Sequence, residues 1–146
     1  MDGAVLKVKL LRQGAQVPVR VTEGATGLDL FACIEAPGFI ELGPDVTRVP
    51  TGIALEVPLG YDVQVRPRSG LGSRGVNVVF GSVDADYRGE LFVNMYTFGS
   101  LQTYRIEHGD RIAQLVVARF ESLSVVAVEE LTDSQRAAGG FGSTGR

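Results

Sequence analysis

The chain has 146 residues, of which 45% are hydrophobic and 21% are charged, and this composition is that of one ordinary globular domain. Its 14 basic and 17 acidic residues give a formal net charge of -3. This balance argues against a general affinity for nucleic acid, because such affinity normally requires a basic surface.

Cysteine content and hydropathy bear on the compartment. The single cysteine, Cys33, excludes an internal disulfide and a cysteine-based zinc cluster, and it fits a reducing compartment. No apolar run approaches the ~20 residues needed to cross a bilayer, and the N-terminus lacks the continuous apolar core of a signal peptide. We therefore expect a cytoplasmic protein that binds neither nucleic acid nor membranes.

The periodicity of β-strands runs through most of the chain. Residues 5–10, VLKVKL, alternate apolar residues with lysines, which is typical of a strand with one solvent-exposed face. Gly- and Pro-rich turn signals separate the further β-rich segments, which are LDLFA, FIEL, VTRVPTGIALEV, YDVQVR, VNVVF, LFVNMYTF, RIAQLVVARF and SVVAVEEL. Only residues 69–73 hint at a helical turn. The pattern predicts an all-β sandwich or barrel.

The strand pattern ends at Asp133. The last residues, DSQRAAGGFGSTGR, include a Gly-Gly pair that leaves the backbone little conformational preference. Composition alone predicts a disordered tail, yet this tail carries a lone aromatic ring, Phe141. We therefore divide the chain into a β-domain, residues 1–132, and a flexible C-terminal segment, residues 133–146.

Five stretches place polar and flexible residues where an all-β core does not need them. They are GLDLFA (27–32), RPRSGLGSRG (66–75), GSVDADYRGEL (81–91), GDRIAQL (109–115) and RAAGGFGSTG (136–145). In this order and at these intervals they resemble the five signature motifs of the homotrimeric dUTP pyrophosphatases (dUTPases). The resemblance runs over nearly the whole chain. It implies a jelly-roll-like β-barrel and the hydrolysis of dUTP to dUMP and pyrophosphate.

The resemblance also implies a homotrimer with shared active sites. In the family, the first, second and fourth motifs of a site come from one subunit, the third from a second subunit, and the fifth from the third. Mg²⁺ is the expected cofactor, held by the substrate phosphates without direct protein ligands, because this ion usually keeps waters and substrate oxygens.

Two aspartates receive roles in the chemistry. Asp84 matches the catalytic aspartate of the third motif, and a carboxylate held near the attacking water can act as general base. Taken alone, Asp84 would be a hairpin-turn residue or one half of an Asp84/Asp86 metal pair. Asp29 has apolar neighbours and needs a partner, because an unpaired buried charge is costly. In the family this aspartate supports the site by ordering an arginine and metal-bound water.

The third motif is also expected to select the nucleoside. Tyr87 resembles the family tyrosine that lies against the deoxyribose and leaves no room for a 2′-hydroxyl. The resemblance implies that two paired strands bind the uracil edge through their main chains, one strand at Gly81, Ser82 and Val83 and the other at Phe92. Fixed backbone groups reject cytosine by leaving hydrogen bonds unmade, whereas thymine must be excluded by a lack of space for its methyl group.

The second and fourth motifs are expected to bind the phosphates. Backbone N–H groups in a Gly-rich turn beside a hydroxyl group form a phosphate-binding cradle. Arg68, Ser69 and Gly70 match this cradle, and Gln114 matches the phosphate-site glutamine of the fourth motif.

The tail matches the fifth motif and is expected to act as a lid that closes over bound nucleotide. Phe141 would stack on the uracil. The γ-phosphate would be bound by Arg136, Ser143 and Thr144 together with nearby backbone amides such as that of Gly142.

Two alternatives compete with this interpretation. The related dCTP deaminases share the fold and a similar third motif, but their catalytic glutamate corresponds here to Asn94, which cannot act as a base. A nucleotide-binding trimer without catalysis is the other alternative, and the presence of Asp84, Arg68, Gln114 and Arg136 opposes it. The sequence also departs from the family pattern: only sixteen positions separate Arg68 of the second motif from Asp84 of the third, which is short for many cellular dUTPases, and Thr97 replaces the asparagine often found after the third-motif strand.

Overall fold

The computed structural model describes residues 3–140 and residue 142, which form ten strands and one short helix. The elements in chain order are β1 Lys7–Leu10, β2 Gly27–Phe31, β3 Phe39–Leu42, β4 Thr47–Glu56, β5 Tyr61–Arg66, α1 Ser69–Arg74, β6 Val76–Val78, β7 Gly81–Val83, β8 Glu90–Thr97, β9 Tyr104–Glu107 and β10 Arg111–Arg119. Within the described ranges, no helix is long and apolar enough to span a membrane.

The strands form two four-stranded antiparallel sheets and one two-stranded sheet. The strand orders are β1-β4-β8-β6, β2-β10-β5-β7 and β3-β9. The two larger sheets keep separate hydrogen-bonding networks and do not close into a continuous barrel. The predicted jelly-roll-like all-β fold is confirmed.

The core lies between the sheets because alternate side chains of each strand point inward. In β5, Val63 and Val65 are buried, while in β8 the buried residues are Leu91, Val93 and Met95. These residues belong to one contiguous apolar cluster. Full burial of such a side chain contributes about 1.5–3 kcal/mol, so the packed sheets form a rigid support for the loops at their edges.

The structure departs from the predicted strands in two places. Strand β9, with the sequence YRIE, was not predicted because it is short and half charged, and it forms by pairing with β3. Residues 124–131, SVVAVEEL, were predicted to be β-rich but form no strand in the described chain. They lack a neighbouring sheet edge, and Val125 is 98% exposed.

Candidate active site

A pocket of about 330 Å³ opens between β7, the turn that follows it, and β8. This volume lies within the range of sites for small ligands. The pocket brings together six residues predicted to bind substrate or catalyse, namely Gly81, Ser82, Val83, Asp84, Tyr87 and Phe92. It also includes residues that the sequence analysis did not place in a site, among them Arg48, Phe80 and Glu90. Arg48 lies over the Phe92 ring, 4.8 Å from its centroid.

The two strands that line this pocket do not pair with each other, which corrects the predicted pairing. β7 pairs with β5 as the edge strand of its sheet, whereas β8 pairs with β4 and β6 in the other sheet. The intervening turn carries the chain from one sheet to the other. The pocket therefore lies between the edge strand of one sheet and an inner strand of the other, and the outer backbone groups of β7 have no strand partner among the described residues.

Asp84 opens the turn at the mouth of the pocket. Its carbonyl oxygen accepts a hydrogen bond of 3.1 Å from the Tyr87 N–H group, as in a β-turn. The side chain is exposed and forms no ion pair with any described residue. Its carboxylate is therefore free to accept a hydrogen bond from water. Within the described ranges, Asp84 and Asp86 belong to no group of three metal-ligating side chains.

Tyr87 is held by a hydrogen bond and by close packing on the main chain. Its hydroxyl group donates to the Glu90 carbonyl oxygen at 2.8 Å. The ring lies over Gly89, where an added Cβ atom would fall 2.5 Å from Tyr87 Oη and 2.7 Å from Cζ. Only a glycine at position 89 permits this ring position, a requirement that the sequence did not reveal.

A second cluster, which we call the arginine cluster, consists of Asp29, Arg68 and Arg111. The Asp29 side chain is 14% exposed and forms ion pairs with both guanidinium groups, with Arg68 Nε 3.4 Å from Oδ1 and Arg111 Nη1 3.7 Å from Oδ2. Arg68 also donates to the Arg111 carbonyl oxygen at 3.4 Å. Asp29 therefore has two cationic partners, one of which, Arg68, belongs to the second motif.

Gln114 lies beside the arginine cluster because β10 pairs with both β2 and β5. Its Cα partners are Asp29 and Arg66, and its side-chain amide donates to the Pro67 carbonyl oxygen at 2.9 Å. Gly27 provides the space for this side chain, since a Cβ atom there would fall 2.1 Å from Gln114 Oε1. Ser69 and Gly70 begin α1 directly after Arg68, and both are exposed.

The two clusters form separate half-sites on one chain. A surface pocket of about 270 Å³ at the arginine cluster is lined by Arg68 and Arg111, and it shares no residue with the pocket at Asp84. The described part of a single chain therefore does not bring the predicted base together with the predicted phosphate-binding residues.

The described part of the tail, residues 133–140 and 142, does not bring Arg136 into either cluster. Arg136 donates to the Gly139 carbonyl oxygen at 2.7 Å and to that of Gly140 at 3.1 Å, so it folds onto its own segment. Gly142 is exposed with a φ of 79°. Phe141, Ser143 and Thr144 lie outside the described residues, and their roles stay predictions.

An ion pair that the sequence did not predict includes Glu90 of the pocket lining. Arg12 contacts Glu90 through two hydrogen bonds of 2.8 Å and 2.9 Å, although 78 positions separate the two residues. The hydrogen bonds from Arg12 lower the pKa of Glu90 below its ordinary value, and the Glu90 carboxylate raises the pKa of Arg12. Glu90 is therefore ionised at neutral pH.

Comparison with known proteins agrees with the motifs and the fold. The model of the dUTPase family matches residues 13–145. The chain belongs to the dUTPase family. A deoxyuridine 5′-triphosphate nucleotidohydrolase from Syntrophotalea carbinolica is 45% identical over 148 residues and covers 99% of each chain. The enzyme of the same name from Desulfotalea psychrophila is 50% identical over 132 residues, 88% of this chain and 87% of the relative.

Solved dUTPase structures share the whole fold. The dUTPase of Staphylococcus bacteriophage 80alpha, bound to dUPNHPP, has a TM-score of 0.86 at 29% identity and covers 99% of this chain and 100% of its own. A variant dUTPase of phage phi11 has a TM-score of 0.76 at 26% identity and covers 87% of this chain and 98% of its own. The phi11 protein is described as coordinating a structural Mg(II) ion. The resemblance seen in the sequence is confirmed.

Proposed function

We infer that the chain is a dUTP diphosphatase, a hydrolase of nucleotide metabolism that converts dUTP to dUMP and pyrophosphate. The family match over residues 13–145, with relatives of that activity at 45–50% identity, carries this conclusion. The reaction keeps dUTP scarce, which limits the incorporation of uracil into DNA, and it supplies dUMP for thymidylate synthesis.

We propose that Asp84 is the general base of this reaction. The oxygen of a water molecule bonds to the α-phosphorus while the bond from that phosphorus to the oxygen bridging it to the β-phosphorus breaks. The water proton passes to the Asp84 carboxylate, and pyrophosphate leaves. The exposed carboxylate, free of ion pairs within the described residues, supports this role because its oxygens can accept from water.

We propose that the base and sugar of dUTP occupy the pocket between β7 and β8. Within residues 3–140, the outer edge of β7, at Gly81, Ser82 and Val83, has backbone donors and acceptors without a strand partner. On the other side, β6 ends at Val78, opposite Met95, so the β8 edge near Phe92 also lacks a strand there. These groups can recognise the uracil edge, and the Tyr87 ring would form the wall against the 2′-position.

We propose that Arg68, Ser69, Gly70 and Gln114 bind the phosphates and belong to a different subunit from the Asp84 that serves the same site. The separation of the two half-sites on one chain supports this arrangement. The lid, with Phe141 on the uracil and Arg136, Gly142, Ser143 and Thr144 at the γ-phosphate, would come from the third subunit.

Residues 120–131 support the homotrimer. This segment has no regular secondary structure and carries apolar side chains into solvent, with exposed fractions of 51–98%, at Phe120, Leu123, Val125, Val126, Val128 and Leu131. Exposed apolar surface of this extent is typical of a segment that packs on another protein. A neighbouring subunit would give the strand-like sequence SVVAVEEL the partner that its own chain does not offer.

We propose that Mg²⁺ reaches the site with the substrate. Both oxygens of Asp29 contact arginines, which fits an aspartate that orders the arginine cluster and leaves ion binding to the phosphates. When bound there, Mg²⁺ supplies charge compensation for the phosphates.

A cytoplasmic location and the lack of nucleic acid or membrane partners stay proposals from the sequence. Cys33 is a free thiol with 4% exposure, and this suits a reducing compartment. The formal net charge of -3 argues against a general affinity for nucleic acid and does not oppose a small anionic ligand that is held by local arginines.

The test is pyrophosphate release, with Mg²⁺ present, from dUTP, dCTP, dTTP and UTP side by side. Release from dUTP alone would support the reaction, the base selection and the sugar discrimination together. Ammonia from dCTP without pyrophosphate would instead show deamination, and binding of dUTP without any product would show a nucleotide-binding protein.

A further inference from the structure

Glu90 stands where the turn of the third motif enters β8, and three donors bind its carboxylate. Arg12 contributes Nη1 to Oε1 at 2.8 Å and Nη2 to Oε2 at 2.9 Å. The Gly52 N–H group donates to Oε2 at 3.0 Å. The side chains of Arg12 and Glu90 are 35% and 16% exposed. A bidentate arginine–carboxylate pair with this limited solvent access fixes both distance and orientation.

The pair is built into a break in the β4–β8 ladder. The register of these strands shifts between Pro50 and Ala54, and Gly52 within the break has a φ of 71°. Glu90 thus satisfies a backbone N–H group at the irregularity. The main chain beside Arg12 is bound to the same glycine, because the Leu11 N–H group donates to the Gly52 carbonyl oxygen at 2.8 Å.

The same pair is connected to the pocket wall through the main chain of Glu90. The Glu90 carbonyl oxygen accepts the hydrogen bond from the Tyr87 hydroxyl group. The next carbonyl group, that of Leu91, accepts from the Thr51 hydroxyl group at 2.5 Å. The start of β8 is therefore bound to residues 51–52 through both a side chain and a carbonyl group, and Tyr87 is bound to the start of β8.

We propose that Arg12 is a positioning residue for sugar discrimination: through Glu90 it fixes the carbonyl group that holds the Tyr87 hydroxyl. The inference rests on the proposed function, in which the Tyr87 ring excludes the 2′-hydroxyl of ribonucleotides. Steric exclusion depends on a wall that does not yield. Without Arg12, the Glu90 carboxylate keeps only the Gly52 N–H group as a donor and turns toward solvent. The Glu90 main chain, which holds the Tyr87 ring, then becomes more mobile.

The experiment compares kcat/KM for dUTP and for UTP in Arg12→Met, Arg12→Lys and the wild type. Arg12→Met removes all donors while retaining an apolar stem, and we expect the dUTP/UTP ratio to fall about 2- to 10-fold, the range of one lost hydrogen bond. Arg12→Lys keeps the charge but not the bidentate geometry, so its ratio should lie between the other two. Arg105→Met is the matched control, because it makes the same substitution in the separate two-stranded sheet, at an arginine that lies over the Phe39 ring, 3.8 Å from its centroid.

Tyr87→Ala separates the two ways in which the experiment can fail. If Tyr87→Ala lowers the ratio but both Arg12 variants retain it, the inference on Arg12 is wrong and the role of Tyr87 stands. If Tyr87→Ala retains the ratio, the proposed sugar wall itself is wrong. A fall of equal size in Arg105→Met would also overturn the inference, because it would show a general loss of rigidity. Should Arg12→Met fail to fold, Arg12→Lys decides by the same criterion.

Discussion

Gly89→Ala perturbs the proposed sugar wall without changing any group that binds substrate. The alanine Cβ would lie 2.5 Å from Tyr87 Oη, 2.7 Å from Cζ and 3.1 Å from Cε1, whereas ordinary contacts lie at 3.4–4 Å. The φ of Gly89 is outside the positive region, so the alanine backbone itself is unstrained. The ring, at the end of a side chain that is 46% exposed, is the part that must move.

The expected fall in the dUTP/UTP ratio follows from the hydrogen bond that the displaced ring loses. A shift of roughly 1 Å restores ordinary contact and breaks the 2.8 Å hydrogen bond from Tyr87 to the Glu90 carbonyl oxygen. Such a bond contributes about 0.5–1.5 kcal/mol. If the whole of this energy holds the wall against ribose, the dUTP/UTP ratio of kcat/KM falls roughly 2- to 10-fold.

The assay is steady-state pyrophosphate release from dUTP and UTP by Gly89→Ala and by a control variant, Gly43→Ala. A Cβ atom at Gly43 meets only the Gln102 carbonyl oxygen at 3.9 Å, so the control adds the same methyl group without a clash. We expect the ratio to fall only in Gly89→Ala. A ratio that equals the wild-type value in a folded Gly89→Ala variant would refute the argument that ring position sets sugar selection.

Three further predictions concern the other parts of the site. Gly27→Ala would place a Cβ atom 2.1 Å from Gln114 Oε1 and displace the Gln114 side chain. We expect kcat/KM for dUTP to fall about tenfold while the dUTP/UTP ratio of kcat/KM stays unchanged. A changed ratio would contradict the separation of the two half-sites. Asp84→Asn should lower kcat by roughly 10²- to 10⁴-fold while calorimetry still detects dUTP binding, and retained turnover would remove Asp84 as the base. Because Arg12 lowers the pKa of Glu90, the stability gained from the pair is present above the unfolded-state pKa of about 4.3 and is lost as pH falls through the folded-state pKa. Denaturant unfolding of wild type and Arg12→Met should therefore show a stability difference at pH 7 that shrinks in acid, and a pH-independent difference would exclude the ion pair as its source.

The all-β fold could be predicted from the sequence because inward-facing residues recur at every second position in strands such as β5. The turn residues between the strands predicted most of the positions at which the strands begin and end. The sequence could not give β9, since a short half-charged strand forms only by pairing with β3. The β-rich pattern of residues 124–131 was a poor guide within one chain, because a strand needs a partner edge as well as a pattern.

The site residues could be predicted because they lie in recognisable motifs. The contacts and strand pairings that connect these residues could not be predicted. Six of them line one pocket, and Asp29 contacts Arg68 as expected. The pairing of β7 with β5 instead of β8 depends on how the sheets pack, which local pattern does not encode. The Arg12–Glu90 pair joins residues 78 positions apart, and the glycines at 27 and 89 matter only through side chains that pack against them.

The central claim is that Asp84 of one subunit serves phosphates that are bound by the arginine cluster of another subunit. Subunits of Asp84→Asn and Arg68→Met can be unfolded together, mixed in equal amounts and refolded, and dUTP hydrolysis measured against each variant alone. Random assortment leaves about a quarter of shared sites with both groups intact, so the mixture should recover about a quarter of wild-type activity while each variant alone is nearly inactive. A mixture no more active than its separate components would contradict the account, because it would place Asp84 and Arg68 of every site in the same chain.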